Sequence, residues 1–314
     1  MQRSLRATVC PLAIADDMLP KALSQFKPYI RWVVVVACLG FVGQAAIAHW
    51  QSVSSFNFDR RDIALLIASG LVTLVAHCWA GWVWGWIVRE LGQPVSGVQA
   101  ARIYLRTNIA KYAPGNVWHF YGRVTALKSL GSSLGAATLS TALEPLLMAA
   151  AAFLVAIAGL RWAGGWAIAI GLVLVLIGIH PRWLNRVARL LEKKASQTDT
   201  PARLQSYPLK PLLGEVGFVL LRSVGFLAIA LALSPLPASQ FLAVTSGFSV
   251  AWVLGLVIPG APGGLGVFEA TAIALMQGQL DAGVLVQAVA LYRLIGTLAE
   301  ILGAGLAVIP VRHS

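Results

Sequence analysis

From Ser223 to Phe268 the chain runs for 46 residues without one Asp, Glu, Lys or Arg, and the run closes in Pro259-Gly-Ala-Pro-Gly-Gly-Leu-Gly-Val-Phe-Glu269. A stretch this long and this apolar belongs in lipid or in the interior of a bundle. Within it, two prolines and four glycines interrupt the helical pattern just before a carboxylate. Backbone that leaves the helix has unpaired amides and carbonyls, and hydrocarbon offers them no water. Such a break survives only against protein or a wet cavity. Gly263, Gly264, Gly266 and Glu269 are therefore expected at a working site.

The rest of the chain fits the same solvent. Charged residues make up 11% of 314 and apolar residues 58%, with a mean hydropathy of +0.76, whereas an ordinary soluble domain carries about 25% charge. Segments long enough to span run from Trp32 to Trp50, Ile63 to Val88, Leu134 to Leu160, Trp162 to Ile179, Val216 to Leu233, Phe241 to Ile258 and Val284 to Ile309. The shorter piece from Gly263 to Met276 follows the Gly/Pro break and reads as a half-helix completing an eighth crossing. The expected fold is an all-α polytopic membrane protein of about eight transmembrane helices, with one or two broken or re-entrant segments. Residues 1–30 form a tail, 31–310 the transmembrane domain with a basic loop over 181–212, and 311–314 a second tail.

A net charge of +12 would point to nucleic acid in a soluble protein, but here the bases flank apolar segments, where topology and anionic lipid account for them. Of the two sets of loops that alternate along the chain, one carries nineteen Lys and Arg and the other only Arg60, Arg61 and Arg161. Both termini are thus expected in the cytoplasm, which requires an even number of crossings of the cell membrane. Cys10, Cys38 and Cys78 lack CxxC spacing, so neither a disulfide framework nor a metal site is indicated, and no cofactor is called for. Asp59 and Asp62 stand without a further ligand nearby and read as a solvated loop.

Tyr104 to Gly131 is neither apolar enough to span nor polar enough for a plain loop. Pro114 and Gly115 divide it into two helical pieces, with Arg106, Lys111, Arg123 and Lys128 suited to headgroups and Trp118, His119, Phe120 and Tyr121 to an interface. A re-entrant hairpin, a surface-lying hairpin and an amphipathic connection all fit.

Five ionisable residues fall well inside predicted spans: Glu144, Arg222, Glu269, Arg293 and Glu300. Each costs about 2.5–3.5 kcal/mol near a helix centre on translocon scales, so each should face inward and find a partner. Similar depth pairs Arg222 with Glu144 and Arg293 with Glu269. Arg293 and Glu300 lie two turns apart on one face, beyond direct contact. The helix starting near Gly264 would also offer free amides to an anion. His77, alone in its span, reads as a packed or interhelically bonded histidine.

Taken together, Asn108, Tyr112, Pro114-Gly115, Gly122-Arg123 and Leu130-Gly131, then Glu144, then Pro262-Gly-Gly-Leu-Gly266 with Glu269, then Tyr292-Arg293, resemble the transmembrane region of the lysylphosphatidylglycerol synthetase and flippase family. The resemblance covers about Ile30 to Pro310. It implies the translocase half alone, because no soluble aminoacyl-transfer domain follows, and it implies membrane lipids, anionic or lipid-linked, as partners. A membrane-embedded transferase, or a non-transporting partner of a separately encoded lipid-biosynthetic enzyme, are the other functions weighed. The topology is checked by tags at both ends: both are expected to resist protease added outside intact cells, and cleavage of either overturns the positive-inside assignment.

Overall fold

The computed structural model describes residues 58–112, 117–159, 165–195, 203–257, 264 and 266–309. The first expected span, Trp32 to Trp50, lies outside them, as do Gly263, most of the Gly/Pro break and the turn at Pro114-Gly115. The described residues are helical and form no strand. In order they are α1 (Arg60–Glu90), α2 (Gly97–Asn108) continued by a short 3₁₀ turn (Ile109–Tyr112), α3 (Trp118–Ser129), α4 (Leu134–Gly159), α5 (Gly165–Gly178), α6 (Pro181–Ala195), α7 (Leu209–Leu233), α8 (Ala238–Val257), α9 (Val267–Met276) and α10 (Ala282–Val308).

Five of these, α1, α4, α7, α8 and α10, are long and apolar enough to cross a membrane; the bent pair α5–α6 makes a sixth if it counts as one span. Their polarity is inverted relative to a soluble protein. On α1 the exposed stripe is Ile63, Ile67, Leu71 and Val75, spaced by four, while Ser69, Thr73 and His77 are buried. Lipid is the solvent that accepts this arrangement, and the chain is a multi-pass membrane protein. The expected solvated loop at Asp59 and Asp62 is instead the start of α1. Each carboxylate accepts the other's backbone N–H, at 2.8 and 3.2 Å, which is a capping box.

The strongest packing joins α1 to α7 and α4 to α8, elements far apart in sequence, and next come the sequence neighbours α1 with α2 and α8 with α9, while α10 packs on α1 and α2. Small residues permit it. A Cβ at Gly81 of α1 would come within 2.8 Å of the Ala101 Cα on α2, and one at Gly247 of α8 within 2.7 Å of Met276 on α9.

The pieces on either side of the Pro114-Gly115 turn, 97–112 and 117–129, both pack into the bundle. Arg102 and Arg106 donate to the Ala307 carbonyl at the end of α10, at 3.1 and 2.8 Å, and Arg102 also caps Ile309. Further along, Lys111 meets Glu300 and Tyr112 meets Thr297. The contacts thus descend α10 from Ile309 to Thr297, about 18 Å at 1.5 Å per residue. The arms α2 and α3 are each 12 residues, about 18 Å and little more than half a hydrocarbon thickness of ~30 Å. Both arms pack on full-length helices, α2 on α1 and α10 and α3 on α4. Among the carbonyls at the end of α10, those of Ala307 and the C-cap Ile309 receive the arginines that a helix C-terminus favours.

Two further elements depart from expectation. The loop at 181–212 contains α6, which bends 53° from α5, buries Leu184 and Ala188, and is tied to the next segment by the Asn185 side chain bonding both backbone groups of Leu204. The Gly263–Met276 crossing reduces to the 10 residues of α9, which begins beside Arg293 near the middle of α10 rather than at a membrane boundary. Replacing Gly81 by Val should destabilise the purified protein by about 1–3 kcal/mol through the α1–α2 contact, read as a lower unfolding midpoint in detergent. Gly305→Ala, where a Cβ meets nothing within 4 Å, should leave the midpoint unchanged.

Candidate functional site

The break before α9 solves its backbone problem with Arg293. Gly264 adopts φ +72°, which glycine tolerates, and a Cβ there would lie 2.7 Å from the Gly255 carbonyl on α8. The chain therefore passes flush against α8. Arg293 then donates to the Gly264 carbonyl at 2.8 Å and, through Nε, to Glu269 at 2.7 Å. The expected Arg293–Glu269 pair is present. Glu269 stands in the first turn of α9, where a carboxylate complements the helix dipole. The position expected to attract an external anion is thus taken by the chain's own glutamate.

The other expected pair is corrected. Glu144 of α4 pairs with Arg123 of α3, both side chains almost fully buried, and Arg222 pairs with neither glutamate. The Arg123 guanidinium also lies 3.9 Å over the Tyr104 ring, a contact favoured when desolvated. Depth alone misassigned the partner, because the sequence leaves the segment that carries Arg123 without a fixed depth, and α3 packs into the bundle and delivers Arg123 to Glu144. Beside Glu144, Pro145 lacks an N–H and leaves the Thr141 carbonyl free of its helical donor.

Glu300 anchors a third group. Its Oε1 accepts from Lys111 at 2.6 Å and lies 3.2 Å from His77 Nε2, and that same nitrogen is 3.2 Å from the Arg222 guanidinium. Interhelical bonding of His77, expected from sequence, is what the structure shows. Arg222 completes its surroundings with the Tyr292 ring at 4.7 Å. Tyr292 in turn packs with Phe226, Phe248 and Phe268.

These groups line one internal cavity of about 180 Å³, bounded by α1, the 97–112 and 117–129 pieces, α4, α7, α8, Gly264, α9 and α10. Of the sequence-derived candidates, Asn108, Tyr112, Arg123, Glu144, Arg222, Gly264, Tyr292, Arg293 and Glu300 all border it. Gly266 does not, being the N-cap of α9; Glu269 sits behind Arg293; Gly263 is outside the described residues. Three residues that border the cavity were missed, Lys111, His119 and Tyr104, and so was the buried Glu215 outside it. Lys111 and His119 resembled headgroup and interface residues, and their spacing on either side of Pro114-Gly115 was the available signal. Glu215 was lost because the span was begun at Val216, whereas α7 starts at Leu209. Pro208 and Pro211 mark that start, since first-turn positions need no N–H partner.

Four cations border the cavity, Lys111, Arg123, Arg222 and Arg293, against Glu144 and Glu300 with Glu269 just behind. Three ion pairs use three of each sign. Arg222 is the cation left without a carboxylate among the described residues, and its Nε is buried with no hydrogen-bond partner there. No group of three His, Cys, Asp or Glu among the described residues is placed to hold a metal. No protein-family model and no curated protein matches the chain.

Removing one member of the buried Arg123–Glu144 pair should cost about 3–5 kcal/mol, and replacing both should restore much of it. Unfolding midpoints of Arg123→Met, Glu144→Leu and the double variant check this. Equal loss in all three would place the stabilisation elsewhere, and rescue of Glu144→Arg by Arg222→Glu would reinstate the pairing expected from sequence.

Proposed function

We propose that this protein moves an anionic amphiphile, a phospholipid or a lipid-linked intermediate, between the leaflets of the cell membrane, as the transmembrane region of a lysylphosphatidylglycerol synthetase and flippase family member. The observation that carries the reading is Arg222: a guanidinium facing the cavity with no carboxylate among the described residues to neutralise it. An uncompensated cation at this depth costs several kcal/mol, a cost that an arriving anion removes. A phosphate oxygen suits it, because a guanidinium presents parallel N–H donors to two oxygens of one group. The neighbouring Tyr292 ring and the hydroxyls of Tyr112 and Thr297 offer polar edges for the rest of a headgroup.

The walls support the same reading. Two are built from half-length elements, the arms α2 and α3 and the helix α9, which end inside the bundle instead of crossing it. Half-helices that end at a charged cavity are how transporters bring backbone and side chains to a substrate at mid-depth. The apolar stripes on α1, α5 and α10 give acyl chains a surface to follow while the headgroup is inside.

Reconstitution tests the proposal. Vesicles containing the protein should accelerate transbilayer movement of a fluorescent phosphatidylglycerol over protein-free vesicles, measured by quenching of the outer leaflet. Arg222→Gln should slow it roughly tenfold or more, since hydrogen bonds to a charged group contribute about 1.5–3 kcal/mol and ~1.4 kcal/mol is a decade. Arg222→Lys should recover part of the rate. No acceleration by the wild-type protein with any anionic lipid would sink the reading.

A further inference from the structure

Glu215 is the charged residue the cavity leaves unexplained. It lies in the second turn of α7, is 0% exposed, and neither carboxylate oxygen has a hydrogen-bond partner among the described residues. The charges that act on it are Glu144 from α4 and Arg123 from α3, and Tyr104 of α2 feels the same three. The other elements packed on α7 bring no further charge to this point. On α1, His77 faces Glu300, and Glu90 is opposed by Lys210; α8 carries no ionisable residue; and on α10, Arg293 and Glu300 are engaged by Glu269 and Lys111. Two carboxylates therefore act on one guanidinium, and the one shut away from the cavity, Glu215, would be an isolated buried charge if ionised and takes a proton instead.

Two buried donors at the Arg123–Glu144 pair are unused as well. Arg123 Nε and Trp84 Nε1 are both buried without a partner, and the Arg123 guanidinium lies 5.7 Å over the Trp84 ring. Arg123 thus spends one part of its fork on Glu144 while Nε remains idle. Of the two glutamates, Glu144 borders the cavity and Glu215 does not.

We propose that Glu144, Arg123 and Glu215 form a proton-exchange site that couples the cavity to a proton gradient. The triad holds one proton, carried by whichever carboxylate Arg123 leaves. In the arrangement seen, Arg123 pairs with Glu144 and the proton is on Glu215. In the alternative, the O–H bond of Glu215 breaks, one forms on Glu144, and Arg123 moves its ion pair to Glu215. Net charge is the same in both, so neither state leaves a bare charge buried. The proton meets cavity water only while it is on Glu144, beside the cavity that holds Arg222. The coupling role rests on the transport reading; the proton itself is read without transport.

Infrared difference spectra of the purified protein report the proton through the C=O stretch of a protonated carboxyl. The wild type should show a band that is lost in Glu215→Gln and equally in Glu144→Gln, because in each variant the remaining glutamate pairs with Arg123 and ionises; Glu300→Gln should retain it. A band that persists in Glu144→Gln makes Glu215 a solitary neutral carboxyl and overturns the exchange site, as does its absence from the wild type. In vesicles, a pH gradient should accelerate lipid movement by the wild type and lose that effect in Glu215→Gln. Lipid movement that ignores the gradient overturns the coupling. The band without any lipid movement sustains the site and removes the transport reading.

Discussion

A charge taken out of water must be neutralised where it lands, and the broken elements of this bundle are placed by that requirement. Each brings one ion-pair partner to a glutamate or arginine on a full-length helix. The 3₁₀ turn after α2 brings Lys111 to Glu300, α3 brings Arg123 to Glu144, and the first turn of α9 brings Glu269 to Arg293. Without the 97–112 and 117–129 pieces, Glu144 and Glu300 would face an apolar interior alone, at a penalty of several kcal/mol each. The long helices α4 and α10 are tied to the short elements by these contacts, since an ion pair tolerates little sliding where a purely apolar seam tolerates much. Gly81 and Gly247 supply the close approach that the short elements need to reach inward.

The bundle was legible in the sequence because its signal is summed over many residues. Six of the expected spans coincide with apolar helices to within a few residues at most ends, and the Gly/Pro break does precede a half-helix whose glutamate pairs with Arg293. The 97–129 segment was harder to read. Arg106, Lys111 and Arg123 look alike on paper, as three bases among aromatics, yet Arg106 caps the carbonyl end of α10 while the other two lie deep in the bundle. What separates them is how far the chain has descended when it reaches each one, and that is set by α10, nearly two hundred residues away. Pairing Arg222 with Glu144 failed for the same reason: depth along each helix was read correctly, but the competing arginine arrived on an element that periodicity cannot place.

Glu215 shows the complementary limit. Its helix begins at prolines, and a start rule that waits for an uninterrupted apolar run passes over the first two turns. Those two turns hold the carboxylate with the fewest partners in the described structure. Residues that break a local pattern at the edge of a strong one are where sequence reasoning and function part company.

The cavity holds two kinds of imbalance, and they bear on each other. Arg222 is a cation without an anion among the described residues, while the Arg123 triad has an anion too many unless it carries a proton. They sit on the same helix, two turns apart, with Glu215 toward the start of α7 and Arg222 at its middle. A rigid helix carrying both transmits a shift at one to the other. His77 sharpens the point, because its Nε2 lies between Arg222 and Glu300 and cannot accept from the first while donating to the second. If it donates to Glu300 the Arg222 contact is donor against donor, and if it accepts from Arg222 the Glu300 contact has no hydrogen. Displacement of Arg222 toward an incoming anion would release His77 to donate to Glu300 and relieve that conflict. The resting cavity is thus a set of mutually incompatible contacts that a single bound anion can reorder, which is the property a site must have if occupancy is to change which side of the membrane it faces.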